Sequence, residues 1–294
     1  MTEDNDTTLP RRQLGQYLRD ARSAANMTLE QVAPMMQWST SKLQRVEKGQ
    51  SPKVRELDVE ALCRIYDMDA DMTAALKGLA MQASVKSWWH AFDDLIPGNF
   101  DLYVGLESSA QQMGCYRPDV ISGLFQTPDY ARALDRNFFP GITTEELDRR
   151  IELRTKRQAL ITRKTRPARV EVIFNEACLR YVVGGPAVMA EQLQHLADMP
   201  ANVTVRLQRF TAGFPLGIAP GPFTILDFGY DGKGRPNAPS VVYVESYAGD
   251  MYLERVKDLD RYRRAYEAIQ RTTLDVANSK SLLRQVAREY ARER

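Results

Sequence analysis

Apolar residues recur at spacings of three and four positions along the first part of the chain, with polar residues between them. Each such series predicts an amphipathic helix, because residues at this spacing lie on one face of a helix with about 3.6 residues per turn. The series are Leu14, Leu18, Ala21 and Ala25; Leu57, Ala61, Leu62, Ile65 and Tyr66; and Met72, Leu76, Leu79 and Ala83.

Two shorter helices are predicted between the first and second of these series. Thr28 and Gln31 have the spacing of a capping box, in which the hydroxyl and the amide each bond a free backbone N–H at a helix start. Ser39 is placed to cap a second short helix over residues 40–48, and Gly49 suits the left-handed position after a helix. Two short helices joined by a tight turn, the second polar on its outer face, indicate a helix-turn-helix.

Pro34 and Gln37 depart from the usual form of this motif. A proline inside a helix removes a backbone hydrogen bond and crowds the preceding turn. Gln37 occupies the turn, at a position where glycine is more usual. We expect the short helix to tolerate Pro34 by bending, so the sequence does not fix its angle to the second helix.

The remainder of the chain mixes two kinds of pattern. Helical patterns occupy residues 106–115, 128–139, 144–163, 176–182 and 187–199, and a long helix carries Val256, Leu259, Tyr262, Tyr266 and Ile269. Strand-like runs, rich in β-branched and aromatic residues, occupy residues 169–174, 203–210, 222–228 and 240–245. Helices come first and the strands cluster later, which favours an α+β fold over an alternating βαβ fold.

The predicted fold class is therefore α+β, with an N-terminal all-α five-helix helix-turn-helix domain followed by a larger α+β C-terminal domain. The predicted segments are a flexible tail at 1–10, the helix-turn-helix domain at 11–70, a helical linker at 71–98, the C-terminal domain at 99–278 and a basic helix or tail at 279–294. The main boundary falls at residues 96–99, where Ile-Pro-Gly-Asn breaks the helical pattern. Just before it, Trp88, Trp89 and Phe92 are expected to form core at the junction rather than a base-stacking surface.

Composition narrows the class of protein. The 294 residues are 44% hydrophobic and 27% charged, which is typical of a soluble globular protein. No run approaches the roughly 18 apolar residues that a membrane helix requires, and the acidic N-terminus is unlike a signal peptide. The scattered Cys63, Cys115 and Cys178 favour neither a disulfide framework nor a zinc site. We therefore expect a cytoplasmic protein with no cofactor, no metal and no membrane partner.

Positive charge is concentrated near the N-terminus. The net charge of the whole chain is +2, whereas residues 11–56 alone carry +5. A basic module on a nearly neutral body is the pattern expected of contact with nucleic-acid phosphates. Double-stranded DNA is therefore the first partner to consider.

In a helix-turn-helix, exposed residues at the start of the second helix read base edges in the major groove. The residues at these base-reading positions are Thr40, Ser41, Gln44 and Arg45. Arg45 is the best candidate for a bidentate contact with guanine, while Leu43 and Val46 are expected to point inward. The residues expected at phosphates, where they set register without reading sequence, are Thr28, Ser39, Lys42, Lys48, Lys53 and Arg55.

Residues 149–169 are rich in Arg and Lys and invite a second nucleic-acid interpretation. The opposite charges in and before this segment fall four positions apart, as Glu145 with Arg149, Glu146 with Arg150, and Glu152 with Lys156. This spacing is typical of an exposed, salt-bridged helix. We therefore favour a solvated face over a second DNA site.

No catalytic site is expected. His90 and His195 are the only histidines, and neither lies in a local pattern of metal ligands or of a catalytic base. A phosphate-binding glycine loop is also lacking. A self-cleaving repressor with a Ser nucleophile and a Lys base is disfavoured, because Lys257 and Lys280 fall on predicted exposed helices where nothing would desolvate them.

Several segments resemble known regulators. The stretch WSTSKLQRVEKG, residues 38–49, is similar to the recognition helix of Cro/C1-type (XRE) helix-turn-helix proteins. Four further segments resemble the body of a large actinobacterial regulator family that includes the WhiJ type. They are GLFQTPDYARAL (123–134), RRIELRTKRQALI (149–161), FNEACLRYVVGG (174–185) and PFTILDF (222–228). This resemblance covers residues 11–283. It implies an antitoxin-like transcriptional regulator whose C-terminal domain has no defined role, and often a small protein partner encoded nearby.

The sequence therefore predicts a sequence-specific, homodimeric regulator that binds a palindromic operator and associates with the nucleoid when bound. A partner protein or a signal that binds the C-terminal domain would control the activity of this regulator. An alternative is an antitoxin-like interaction protein that sequesters a small partner and binds DNA for autoregulation. A third interpretation is a small-molecule sensor, with a pocket bordered by the Gly- and Pro-rich loop at residues 214–222.

Overall fold

The computed structural model describes residues 9–51, 53–83, 91–92, 94–95, 100–230, 234, 236–247 and 249–293. The chain divides into two compact units, one ending at Ser109 and the other beginning at Ala110. A helical first part followed by a mixed sheet with helices confirms the α+β class. The predictions for residues 1–8 of the tail, for Trp88, Trp89 and His90, and for the break at 96–99 lie outside the described residues.

The first unit is built from helices around an apolar core. Their bounds are α1 Leu9–Ala24, α2 Leu29–Met35, α3 Thr40–Glu47, α4 Glu56–Ile65, α5 Ala70–Ala83 and α6 Phe100–Ser109. The core draws on α1 to α5, through residues that include Leu14, Leu18, Val32, Leu43, Val46, Val59, Leu62, Leu76 and Ala80. Apart from Ala70, α5 lies in the range 71–98 that we expected to be a helical linker, and its Leu76 and Ala80 pack in this same core. Leu57, which we expected on the apolar face of α4, is instead 72% exposed.

Each of the helices α1 to α4 ends in the same backbone motif. A residue with positive φ follows the helix, and the next N–H turns back to bond a carbonyl five positions earlier. After α2 the positive-φ residue is Gln37, at 54°, and the Trp38 N–H donates to the Ala33 carbonyl at 2.8 Å. The corresponding residues after α1, α3 and α4 are Asn26, Gly49 and Asp67.

α1 and the end of α3 approach each other so closely that only glycine fits between them. A Cβ atom on Gly15 would lie 2.6 Å from the carbonyl oxygen of Val46 and 2.7 Å from that of Glu47. A Cβ atom on Gly49 would lie 2.8 Å from the Cα atom of Arg12. The missing side chains of these two glycines therefore set the distance between α1 and α3.

The second unit contains one sheet and several helices. Its strands are β1 Gln112–Arg117, β2 Arg169–Asn175, β3 Val203–Gln208, β4 Phe223–Asp227, β5 Val241–Val244 and β6 Met251–Leu253. Its helices are α7 Pro128–Phe138, α8 Thr144–Thr162, α9 Ala177–Arg180, α10 Pro186–Ala197, α11 Val256–Gln270 and α12 Val276–Arg292. The strand order across the sheet is β3-β2-β1-β4-β5-β6.

Half of this sheet is parallel and half is antiparallel. β1, β2 and β3 pair in parallel. Their connections run through α7 and α8 and then through α9 and α10, as parallel pairing requires a crossover. β4, β5 and β6 extend the other side of β1 with antiparallel pairs. β1 therefore lies at the centre, between a parallel and an antiparallel neighbour.

The prediction of one helix over residues 106–115 is wrong. α6 ends at Ser109 and β1 begins at Gln112. A central strand covered on both faces carries apolar residues at successive positions, so its periodicity does not distinguish it from a short buried helix. The helix expected at 176–182 is likewise shorter, at Ala177–Arg180, and the short strand β6 was not predicted.

Successive residues of the central strands point to opposite faces of the sheet, and each face carries a buried core. Ile173 of β2 packs with Phe223 of β4 and Ile269 of α11 on one face. The next residue, Phe174, meets the ring of Phe125 edge-on at a centroid distance of 5.9 Å. α11 thus packs on one face, and Phe125, on the β1–β2 crossover, packs on the other.

The C-terminal segment expected as a basic helix or tail, residues 279–294, belongs largely to α12, which has one buried face. The Tyr290 hydroxyl donates to the carbonyl of Leu179 at 3.0 Å. The Leu207 N–H donates to Ser279 Oγ at 3.1 Å. α12 is therefore anchored to α9 and to the edge strand β3.

The three cysteines are buried and form no disulfide. Burial raises the pKa of the Cys178 thiol to about 12. This thiol therefore stays protonated, and chemically inert, near neutral pH. Across the described ranges, no helix combines the length and the apolar character needed to cross a bilayer.

Gly15→Ala should destabilise the first unit, because the added methyl group meets backbone carbonyls of α3 that cannot move aside as a side chain would. We expect the free energy of unfolding to fall by about 2 kcal/mol, as at other overpacked sites. Gly78→Ala in α5 is the matched control, because nothing lies within 4 Å of its new methyl group. That change should stabilise the helix by roughly 0.5–1 kcal/mol. Urea unfolding followed by circular dichroism measures both, and a gain in stability for both variants would contradict the close approach.

Gln37→Gly should stabilise the first unit, since a residue with a Cβ atom is strained at a φ of 54°. The left-handed conformation costs roughly 1 kcal/mol for an ordinary residue, so a gain of about that size is expected. Asp67→Gly, at the matching position after α4 with a φ of 54°, should give a similar gain. Thermal unfolding of the two variants compares them. A lower midpoint for Gln37→Gly alone would mean that the glutamine side chain makes a stabilising contact of its own.

Candidate nucleic-acid interface

The helix-turn-helix is formed by α2, the turn at residues 36–39, and α3. Both halves of the predicted capping box are present: the Gln31 N–H donates to Thr28 Oγ1 at 3.3 Å, and the Thr28 N–H donates to Gln31 Oε1 at 2.8 Å. Pro34 lies near the end of the seven-residue helix α2. The Met36 N–H still donates to the Val32 carbonyl at 3.2 Å, so the proline does not interrupt the turn into α3.

α3 is held with a defined face outward. Ser39 caps it as predicted, because the Lys42 N–H donates to Ser39 Oγ at 3.1 Å. Leu43 and Val46 are buried in the core of the first unit, as expected. The residues on the exposed face are those at the predicted base-reading positions, Thr40, Ser41, Gln44 and Arg45.

The cations expected at phosphates differ in their surroundings. Lys48 and Lys53 are exposed and form no ion pair with any other residue that the structure describes. Lys42 Nζ lies 4.1 Å from the ring centroid of Trp38, a cation–π contact that holds the ammonium group beside the first turn of α3. Three lysines in α3 and in the segment that follows it are therefore candidates for contact with phosphates.

Arg55 already forms an ion pair with the carboxylate of Asp58. Its guanidinium donates to both Asp58 carboxylate oxygens, at 2.8 and 3.0 Å, and these hydrogen bonds lower the pKa of Asp58. A phosphate at Arg55 would have to share the guanidinium with Asp58. The hydroxyl oxygens of Thr28 and Ser39 accept capping hydrogen bonds, which leaves each O–H available as a donor.

A buried ion pair that the sequence did not reveal ties α3 to α1. Arg22 Nε and Nη2 donate to the two carboxylate oxygens of Glu47 at 2.6 and 2.8 Å, and Arg22 Nη1 donates to the Met27 carbonyl at 2.8 Å. The two side chains are 15% and 4% exposed. The hydrogen bonds that Arg22 donates to the Glu47 carboxylate raise the pKa of Arg22. A pair separated by 25 positions has no local pattern, so no sequence signal would have found it.

The basic segment at residues 149–169 is partly neutralised within the second unit. Lys156 Nζ pairs with Glu152 at 2.8 Å, as predicted for a salt-bridged helix. Arg154 donates to both carboxylate oxygens of the buried Asp135, at 2.5 and 2.7 Å. These contacts favour a structural role for the α8 part of the segment over a second DNA site.

Comparison with protein families divides the chain in a similar way. Residues 100–285 match the family model described as Domain of unknown function (DUF5753), and residues 13–76 match the model described as Helix-turn-helix domain. No curated protein and no solved structure gives a significant match. The matches support a helix-turn-helix regulator family, while the WhiJ-like and antitoxin-like parts of the resemblance stay predictions.

Glu47→Gln should destabilise the first unit, because it leaves the buried Arg22 guanidinium without a counter-charge. Removing one partner of a buried pair costs about 3–5 kcal/mol, and we expect the lower end because Arg22 keeps some exposure. Arg64→Gln is the control in the same unit, since its pair with Glu60 is 3.6 Å long and exposed. That change should cost less than about 1 kcal/mol. Urea unfolding of both variants tests this. Equal losses of unfolding free energy in the two variants would show that the Arg22–Glu47 pair does not hold α3 in place.

Proposed function

Since the chain belongs to the DUF5753 family and carries a helix-turn-helix domain in front of the DUF5753 region, we propose that it is a sequence-specific DNA-binding transcriptional regulator. The observation that carries this proposal is the orientation of α3. Its predicted base-reading residues are all exposed, while Leu43 and Val46 hold the opposite face in the core. We further propose that the protein acts in the cytoplasm, by binding and not by catalysis.

In the proposed complex, α3 enters the major groove with its first turns against the base edges. Arg45 donates two hydrogen bonds to guanine, and Gln44 suits a bidentate contact with adenine. Thr40 and Ser41 are short, so they suit a thymine methyl group or contacts through water. These residues would supply the sequence preference.

The phosphate contacts would set the register of α3 in the groove. Lys48 and Lys53 support this role because they are exposed and unpaired within the described chain, and Lys42 because Trp38 holds it beside α3. The O–H groups of Thr28 and Ser39 can donate to phosphate oxygens at the starts of α2 and α3. Arg55 would contribute less than the lysines, since it shares its charge with Asp58.

A homodimer on a palindromic operator is the arrangement that gives such a module useful affinity. One module buries only about 600–1,000 Å² on DNA and binds weakly alone. Two linked modules gain strongly through effective concentration once the first is bound. We propose that the second unit controls this binding, through a partner protein or a signal.

Antitoxin-like sequestration of a small protein, encoded nearby and bound by the second unit, is the other candidate function. It is favoured by large apolar side chains that are exposed after β3, namely Phe210, Phe214 and Ile218. These three residues lie four positions apart in one connecting segment, and contiguous exposed apolar side chains mark protein-binding surfaces. Purification of the tagged protein from its own cells tests this candidate, because a stoichiometric small protein should then be recovered with it.

Sequencing the DNA bound by the tagged protein across the genome would supply the operator and test the leading proposal. A few sharp palindromic sites, with the protein's own promoter among them, are expected. Diffuse occupancy together with one abundant small partner would instead make sequestration the main function, with DNA binding secondary.

Arg45→Ala should weaken operator binding by about 5- to 150-fold, the equivalent of about 1–3 kcal/mol, with little change on random DNA. Lys42→Ala is the comparison variant. It should weaken both DNAs alike and reduce the slope of affinity against salt by roughly one unit, because it removes one phosphate contact. Fluorescence anisotropy at several salt concentrations measures both. An equal loss on the operator and on random DNA would take Arg45 out of the base-reading role.

A further inference from the structure

The face of the sheet beneath α11 changes from apolar to polar along the central strands. Rows in register across β2, β1 and β4 on this face are Ile173-Tyr116-Phe223, then Glu171-Gly114-Ile225, then Arg169-Gln112-Asp227. Side chains two positions apart on a strand share a face, so all of these rows face the same side. The first row belongs to the apolar core under α11. The last row is fully polar.

Tyr266 of α11 closes the apolar core on the side of the polar row. Its ring lies over Gly114, where a Cβ atom would sit 3.4 Å from Tyr266 Cζ. Its hydroxyl donates to the Glu171 carbonyl at 3.0 Å. Glycine in a central strand leaves room for a close neighbour, and here the neighbour is this ring. Burial raises the pKa of Tyr266, so its hydroxyl stays a donor.

A cavity of about 550 Å³ lies on the other side of Tyr266. It is lined by the starts of β1 and β2, the end of β4, and Arg263 and Glu267 of α11. Small-molecule sites usually have volumes of about 300–1,000 Å³. The loop at residues 214–222, which we expected to border a pocket, does not line this cavity.

Two of the carboxylates in the cavity already have counter-charges. Glu171 accepts from Arg206 Nε at 2.7 Å. Asp227 accepts from Arg263 Nη2 at 2.6 Å. Within each pair the positive and the negative charge neutralise each other. Neither carboxylate is therefore available to bind a cationic group, and Arg263 is not available to bind an anion.

One cation and one anion remain in the cavity. Arg169 and Glu267 both line it, and neither pairs with the other or with another residue in the part of the chain that the structure describes. Gln112 and Thr204 also line it, and their side chains make no hydrogen bond within the same described part. The side chains of the cavity without a partner in the described part of the chain are therefore one positive charge, one negative charge and two neutral hydrogen-bonding groups.

We propose that this cavity binds a small zwitterion, with a carboxylate at Arg169 and an ammonium group at Glu267, of the class of free amino acids and short peptides. A purely anionic ligand would leave Glu267 uncompensated beside it, and a purely cationic ligand would do the same at Arg169. Gln112 and Thr204 would bond the polar atoms between the two charges. The site belongs to the second unit alone and does not rest on the proposed DNA binding.

The test uses the full chain without DNA and follows probe binding by saturation-transfer NMR. Triglycine carries both charges, whereas acetate and methylammonium carry one each. Triglycine should bind saturably, with acetate and methylammonium at least about tenfold weaker, since each lacks one charge-assisted contact. Arg169→Gln and Glu267→Gln should each weaken triglycine binding at least about tenfold. Lys164→Gln, an exposed cation outside the cavity, is the control and should leave binding unchanged.

Several outcomes would overturn the proposal. They are an absence of saturable triglycine binding, acetate binding as tightly as triglycine, and an equal loss in the Lys164→Gln control. Arg169 and Glu267 are exposed, so their variants should unfold at the wild-type temperature, and a thermal scan of each verifies this. Because no DNA is present, failure here would leave the proposed operator binding untouched.

Discussion

The contact between α1 and the end of α3 sets the face that the helix-turn-helix presents. Gly15 lets the two backbones meet, and the Arg22–Glu47 pair closes beside this contact with three hydrogen bonds from one guanidinium. In a buried setting such a pair adds little net stability over an apolar contact, but it is costly to separate. It therefore penalises any rotation or shift of α3 that breaks its geometry. Gly15, Arg22 and Glu47, which lie on the inner side of α3, thus fix the position of the helix that carries Arg45.

Interactions between residues close together in the sequence could be predicted, and interactions between residues far apart in the sequence could not. Thr28 with Gln31, and Ser39 with the start of α3, are caps that depend on residues within three positions, so their spacing alone identifies them. Gln37 was likewise recognised as standing in glycine's place, and it takes the positive φ of that place. In the sequence, Arg22 and Glu47 contribute only to the net charge of residues 11–56, and nothing there indicates that they form a pair. The sequence also gives no sign of why α1 carries a glycine at position 15, because the reason is a contact with Val46 and Glu47, more than thirty positions away.

The second unit illustrates the same limit in a sheet. Strands β2 to β5 are predictable because they are rich in β-branched and aromatic residues, whereas β1 lies in a stretch, residues 106–115, whose pattern predicts a helix. Its apolar residues serve two cores at once, so the alternation that marks a half-buried strand is absent. The segment at 279–294 is predicted as a basic helix or tail, yet Ser279 and Tyr290 anchor α12 through hydrogen bonds to backbone groups far away in the sequence. The cavity was not predicted, because its lining comes from the ends of paired strands and strand register cannot be read from one sequence.

The central position of β1 has a consequence for the synthesis of the protein. β1 is the first strand made, and one of its edges pairs with β2, which follows after α8. Its other edge pairs with β4, which begins at Phe223, more than a hundred residues after β1 ends. At about 5–20 residues per second, that edge waits on the order of 5–20 s for its partner to leave the ribosome. An unpaired strand edge can join other strands during such an interval. The antiparallel half of the sheet therefore determines when the nascent second unit ceases to be at risk of mispairing.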